Sequence, residues 1–213
     1  MSEATVPETT VPTSSVLNVP NIATLARIVL SVVLFLFLSI GWYQTSLVLF
    51  IVTAATDWFD GYWARKYGQI TQLGRVLDPF ADKLFICGTF VFLAATPRLA
   101  DGTNPSGISD WMAVIILGRE LLVTTLRTFV EQSGGDFSAK WIGKWKMVLQ
   151  CAAAIWSIVL LSHLNADGAT WQTIPPAWMI NGLIAVAWAT IAITVYSGYT
   201  YVQAAIKILR PTE

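Results

Sequence analysis

Apolar residues fill this chain in six long blocks separated by short polar stretches, at roughly residues 22–41, 45–66, 79–96, 111–130, 146–163 and 178–208. Crossing the ~30 Å hydrocarbon core of a bilayer takes about 20 helical residues, with a working range of about 17–25. Each block is therefore long enough for a transmembrane helix. The last is longer than one crossing needs, so it tilts or runs past the membrane. No internal repeat is visible, and one domain suffices for all six helices. The expected fold is an all-α integral membrane domain of six transmembrane helices over residues 18–213. Residues 1–17 are rich in Thr, Ser, Pro and Glu and lack the basic start of a signal peptide. They read as a disordered cytoplasmic tail.

Composition agrees with the pattern. The chain is 55% hydrophobic and 12% charged, against about 25% charge in ordinary globular domains. Its formal net charge of zero gives no reason to expect nucleic acid as a partner. Cys87 and Cys151 lie inside apolar runs and read as packing residues, not as a disulfide.

The basic residues orient the helices. Arg65, Lys66 and Arg75 fall between blocks two and three, Lys140, Lys144 and Lys146 between four and five, and Lys207 and Arg210 after six. The opposite connections hold only Arg98, accompanied by Asp101. Both termini are therefore expected on the cytoplasmic side of the cell's inner membrane. Trp42, Trp111, Trp171 and Trp178 stand near block ends, where they suit an interfacial belt or simple packing.

Four aspartates break the apolar pattern: Asp57, Asp60, Asp78 and Asp82. Spacings of three and four residues put each pair on one helix face. Converging carboxylates near a bilayer do not all stay ionised without cations between them. Hard divalent ions with oxygen ligands, two Mg²⁺ or Mn²⁺, suit all four acids. Gly61 and Ala64 leave space beside the acids, and Arg65, one turn after Gly61, can fork onto phosphate oxygens. Acids, metal and arginine suit phosphoanhydride cleavage, which needs positioning and charge neutralisation more than covalent chemistry. Two plainer readings stand beside this one. Asp78, just before Pro79, suits a helix cap, and Arg65, Lys66 and Lys83 offer the acids salt-bridge partners. No Ser/His/Asp or Cys/His set accompanies the acids, and the single histidine, His163, falls toward the opposite side.

The skeleton D-x2-D-G-x2-A-R-x8-G-x3-D-x3-D is carried by Asp57, Asp60, Gly61, Ala64, Arg65, Gly74, Asp78 and Asp82. It resembles, without departure, the signature of the CDP-alcohol phosphotransferases. NVPNIATLAR, GRELLVTTLR and GKWKMVLQ resemble the phosphatidylglycerophosphate synthase branch, and the likeness runs from about residue 18 to 150. It implies that an alcohol attacks the β-phosphate of CDP-diacylglycerol directly. It makes Asp82 the catalytic base, a choice between Asp82 and Asp78 that the residues alone leave open. It also places Asn21, Thr24 and Thr71 near the cytidine diphosphate headgroup, together with Asp57, Gly61, Ala64 and Arg65. Helix capping is the plain alternative for Asn21 and Thr24.

A second set of charges concerns the acceptor. Arg119 and Glu120 interrupt block four, and Arg127 lies two turns beyond Arg119. Charges at such depth face a polar cavity or a partner. A structural Arg119–Glu120 pair is one reading, although adjacent helix positions do not face each other. Arg119, Arg127 and Lys144 together would form a basic pocket for a phosphate-bearing alcohol. Lys146 reads as an ordinary cytoplasmic lysine. Glycerol 3-phosphate fits the pocket, and the resemblance of GRELLVTTLR and GKWKM favours it. Met147 departs from the threonine common there.

The expected function is transfer of a phosphatidyl group from CDP-diacylglycerol to sn-glycerol 3-phosphate, in membrane lipid, with the active site facing the cytoplasm. Another acceptor, such as inositol phosphate, serine or a second lipid, is the nearest rival. A cation or proton transporter is the rival from another class, but transporters carry repeats and broken helices near the midplane. A homodimer is compatible with such a chain, and no residue pattern specifies it.

Overall fold

The computed structural model describes residues 19–67, 72–132, 141–164 and 170–209. They form six helices: α1 (Val19–Ser39), α2 (Tyr43–Tyr67), α3 (Gln72–Ala94), α4 (Asp110–Gln132), α5 (Trp141–Leu161) and α6 (Ala177–Leu209). All six apolar blocks are therefore helical. The only β pairing among the described residues is an isolated bridge between Leu164 and Trp171. By length and composition, Asn21–Ser39, Gly143–Leu161 and Ala177–Ile208 can cross a membrane. Helices α2, α3 and α4 have similar lengths but carry the aspartates, Arg119, Glu120 and Arg127. Those charges lower their mean hydropathy.

The bundle is polar inside and apolar outside along α1. Asn21, Thr24, Arg27 and Ser31 are buried, whereas Val29, Val32 and Leu36 are exposed. Large apolar side chains are exposed on the other helices as well, among them Val48, Phe80, Val114, Val148 and Val195. Water would penalise such a surface, and hydrocarbon would not.

The larger apolar core fills one half of the bundle, and a smaller cluster of Val123, Val130, Tyr201 and Ala205 lies in the other. In the larger core, Leu34 and Phe35 of α1 pack with Phe50 of α2, Phe85, Phe90 and Leu93 of α3, Ile116 of α4 and Ile158 of α5. Phe35 stacks on Phe92 with ring centroids 5.0 Å apart, and Phe50 meets Phe85 at 4.8 Å. Gly88 permits the α1–α3 approach, since a Cβ there would lie 2.2 Å from the Phe35 ring. A tight turn joins α1 to α2, with Gly41 at a φ of 78°. Neither Cys87 nor Cys151 is in a disulfide.

One expectation changes at this half. Arg98 pairs with Asp110 at 3.0 Å and not with Asp101. Asp101 instead accepts the Thr103 hydroxyl at 2.6 Å and the Thr103 backbone N–H at 2.9 Å. These bonds hold its carboxyl below the ordinary carboxylate range, the hydroxyl contributing most. Trp42, Trp111 and Trp178 are exposed here and each also touches another ring, so all three take part in packing.

Candidate active site

The other half of the bundle carries the polar chemistry. Helices α1, α3 and α5 begin there, and α4 and α6 end there. Thr24 of α1 donates its hydroxyl to the Asp78 carboxylate of α3. Thr24 is the sixth residue of α1, well inside the helix, so it is not a cap. Asn21 and Arg27 lie on the same face of α1 and are 1% and 2% exposed.

The start of α3 corrects a second expectation. Asp78 and Pro79 do not open this helix; they are its seventh and eighth residues. Gln, Leu and Arg in the preceding turns favour helix, and Gly74 is buried against the bundle. A membrane bundle tolerates the missing N–H of Pro79 because its neighbours are packed. Capping by Asp78 is therefore excluded. Lys83 donates to the Pro79 carbonyl at 3.1 Å.

Asp82, one turn after Asp78, opens on a cavity of about 450 Å³ that also receives Arg119, Arg127 and Lys144. The three expected acceptor residues are thus brought together beside an acid. Glu120 shares the cavity wall and is 8% exposed. It accepts from Arg119 Nη1 at 3.1 Å and from the Lys146 ammonium of α5. Arg119 also donates to Ser197 of α6 and lies over the Tyr201 ring, 5.5 Å from its centroid. Adjacency did not keep Arg119 and Glu120 apart: both side chains are long enough to meet each other while Arg119 also reaches α6 and Glu120 reaches α5. Lys146 is correspondingly no ordinary surface lysine; it is buried and ion-paired.

The family model described as CDP-alcohol phosphatidyltransferase matches residues 17–196. The chain belongs to that family. A relative from Escherichia coli (strain K12), named CDP-diacylglycerol--glycerol-3-phosphate 3-phosphatidyltransferase, is 30% identical over 193 residues, covering 88% of this chain and 94% of the relative. A Bacillus subtilis (strain 168) protein of the same name is 31% identical over 200 residues, covering 86% and 93%.

Several expected residues of this CDP-alcohol phosphatidyltransferase lie outside the described residues. Thr71 does so entirely, as do Lys140 and the tail at 1–17. Asp57, Asp60, Gly61, Ala64 and Arg65 lie within helix α2, but their side chains are outside the described set.

The family member also contains polar residues that the sequence reading passed over. Arg27 belongs to a periodic polar row on α1 with Asn21, Thr24 and Ser31. That row in an otherwise apolar helix was the available signal. Gln150 lies one turn beyond Lys146 on α5 and is 1% exposed. It offered no comparable pattern.

Lys146→Met is expected to destabilise the phosphatidyltransferase by about 3 kcal/mol, since one partner of a buried pair is removed. Adding Glu120→Gln should recover part of the loss. Thermal unfolding of both variants in detergent checks the non-additivity, and purely additive losses would contradict the pairing.

Proposed function

We propose that this protein transfers the phosphatidyl group of CDP-diacylglycerol to sn-glycerol 3-phosphate, giving phosphatidylglycerophosphate and CMP. The carrying observation is the cavity that joins Asp82 to Arg119, Arg127 and Lys144. Its wall has four cationic side chains, counting Lys83, against the carboxylates Asp82 and Glu120. That excess of positive charge suits an acceptor bearing a phosphate. The names of the relatives support the same acceptor.

All six helices cross the membrane in this reading, with both termini and the acid half on the cytoplasmic side of the inner membrane. The apolar exposed faces support the six crossings, and the lysines and arginines support the orientation.

The residues fit divalent cations. Asp57, Asp60, Asp78 and Asp82 supply an all-oxygen donor set, the kind preferred by Mg²⁺ or Mn²⁺. Asp78 is already oriented by the Thr24 hydroxyl, the outer support that a ligating carboxylate requires. Two bound ions would neutralise charge on the diphosphate and the departing CMP. Asp82 takes the proton from the attacking hydroxyl of the acceptor. Arg65, with Gly61 and Ala64 beside it, holds the diphosphate, while Asn21 and Thr71 approach the cytidine headgroup. Thr24 donates its hydroxyl hydrogen bond to Asp78, so it offers the nucleotide only lone pairs.

The deciding experiment is CMP release by purified protein. Release should require both CDP-diacylglycerol and glycerol 3-phosphate, stop on chelation, and resume with Mg²⁺ or Mn²⁺. Equal release with serine or inositol phosphate would refute the acceptor assignment.

Arg127→Ala and Lys144→Ala should raise the KM for glycerol 3-phosphate while changing that for CDP-diacylglycerol little. A charge-assisted hydrogen bond contributes about 1.5–3 kcal/mol, or about ten- to a hundredfold in affinity where KM follows binding. Arg119→Ala should add a loss of stability, because Glu120, Ser197 and Tyr201 all contact it. Arg65→Ala should reverse the substrate pattern. Titrating each substrate against the four variants separates these effects. If the Arg127 and Lys144 variants instead weaken only CDP-diacylglycerol, the pocket belongs to the lipid nucleotide.

A further inference from the structure

A smaller cavity, of about 180 Å³, adjoins the acceptor cavity. The two share Asp82, Lys83 and Glu120, and the smaller one adds Lys146 and Gln150. The shift along α5 is inward: Lys144 is exposed, whereas Lys146 is 8% and Gln150 1% exposed.

The two spaces differ in charge. The outer one has the cationic excess already described. The inner one sets Lys83 and Lys146 against Asp82 and Glu120, so its formal charge balances. A phosphate dianion is drawn to the outer space, and a neutral polar group suits the inner one.

Gln150 indicates what that group must do. Its Nε2 is buried and has no hydrogen-bond partner among the described residues, although Gln150 lines the inner cavity. A buried amide donor left unpaired carries a desolvation penalty, so a ligand or ordered water is expected to satisfy it. The volume admits a small polar fragment or a few waters.

We propose that the inner cavity binds the second, non-reacting hydroxyl of the acceptor, with Gln150 as its hydrogen-bond donor. This deepens the acceptor assignment above and rests on it. The phosphate lies among Arg119, Arg127 and Lys144, the reacting hydroxyl at Asp82, and the second hydroxyl at Gln150. Asp82 stands on the wall common to both cavities, where such a molecule would bend from one to the other. The enzyme thereby prefers a phosphorylated diol over one with a single hydroxyl.

The test compares sn-glycerol 3-phosphate with 3-hydroxypropyl phosphate, which keeps the phosphate and the reacting hydroxyl but lacks the second one. Wild-type protein should use the analogue about tenfold less efficiently in kcat/KM, the scale of one hydrogen bond. Gln150→Leu should lower glycerol 3-phosphate to the level of the analogue. It should leave the analogue itself and the KM for CDP-diacylglycerol unchanged. Equal use of both acceptors by the wild type overturns the subsite, whether or not the variant folds. An equal fall for both acceptors in Gln150→Leu assigns Gln150 to packing and also overturns it. Unchanged discrimination in that variant means that only water occupies the chamber. CMP release with a different alcohol and with neither phosphate would overturn the acceptor assignment and the subsite together.

Discussion

Asp82→Asn should lower turnover by about a hundred- to ten-thousandfold, the usual contribution of a positioned general base. Asparagine keeps the shape of the side chain but cannot take the proton from the acceptor. Asp82 and Glu120 both border the basic cavity and the inner chamber, but Glu120 is ion-paired with Arg119 and Lys146. A base must stand where the acceptor hydroxyl arrives, and the position of Asp82 satisfies that condition. Binding of CDP-diacylglycerol should be spared more than in Asp57→Asn, because in the proposed two-ion arrangement the diphosphate is held through primary ligands such as Asp57. Parallel measurement of single-turnover CMP release and nucleotide-lipid affinity tests the assignment. An equal loss of affinity in both variants would make Asp82 chiefly a ligand.

The second large effect concerns the remaining acids. Asp57→Asn, Asp60→Asn and Asp78→Asn should each reduce activity by more than about a hundredfold, since even removal of an outer support for a metal ligand lowers affinity or activity by about 10–100-fold. Raising Mg²⁺ should recover part of the loss. Thr24→Val provides the graded comparison: it removes only the hydroxyl that orients Asp78, so its effect should fall within that smaller range. Each variant should still insert and remain monodisperse, because the larger apolar core lies in the other half of the bundle. Near-normal turnover of any two aspartate variants at saturating Mg²⁺ would refute the two-ion reading.

The balance between Arg119, Glu120 and Lys146 bears on both effects. Glu120 draws Arg119 and Lys146 together across α4 and α5, while Ser197 and Tyr201 hold Arg119 from α6. A guanidinium restrained from several sides loses little further freedom when a phosphate arrives, which favours binding. The same restraint makes substitutions there structural as well as functional. Arg127 and Lys144 are therefore the cleaner probes of acceptor charge.

Much of this protein could be read from local patterns. Length and hydropathy specified six helices because a membrane helix must satisfy its own backbone within each segment, whatever its neighbours do. Spacings of three and four residues paired the acids, since helical periodicity is a local property. The fixed skeleton from Asp57 to Asp82 pointed to the family, and Arg119, Arg127 and Lys144 to a basic pocket. Other features depended on packing between distant segments. The α3 start at Gln72 follows from burial of Gly74 and the tolerance of a packed bundle for Pro79. Thr24 reaches Asp78 across 54 positions of sequence, and Lys146 reaches Glu120 across 26. Charged and polar side chains in an apolar environment take whichever partner the fold brings within reach, because leaving them unpaired is unfavourable. The sequence alone thus determined the helices, the acid pairs and the set of charges. Only tertiary packing decided which charges neutralise one another, which remain to line the cavity, and that Gln150 stands beside it.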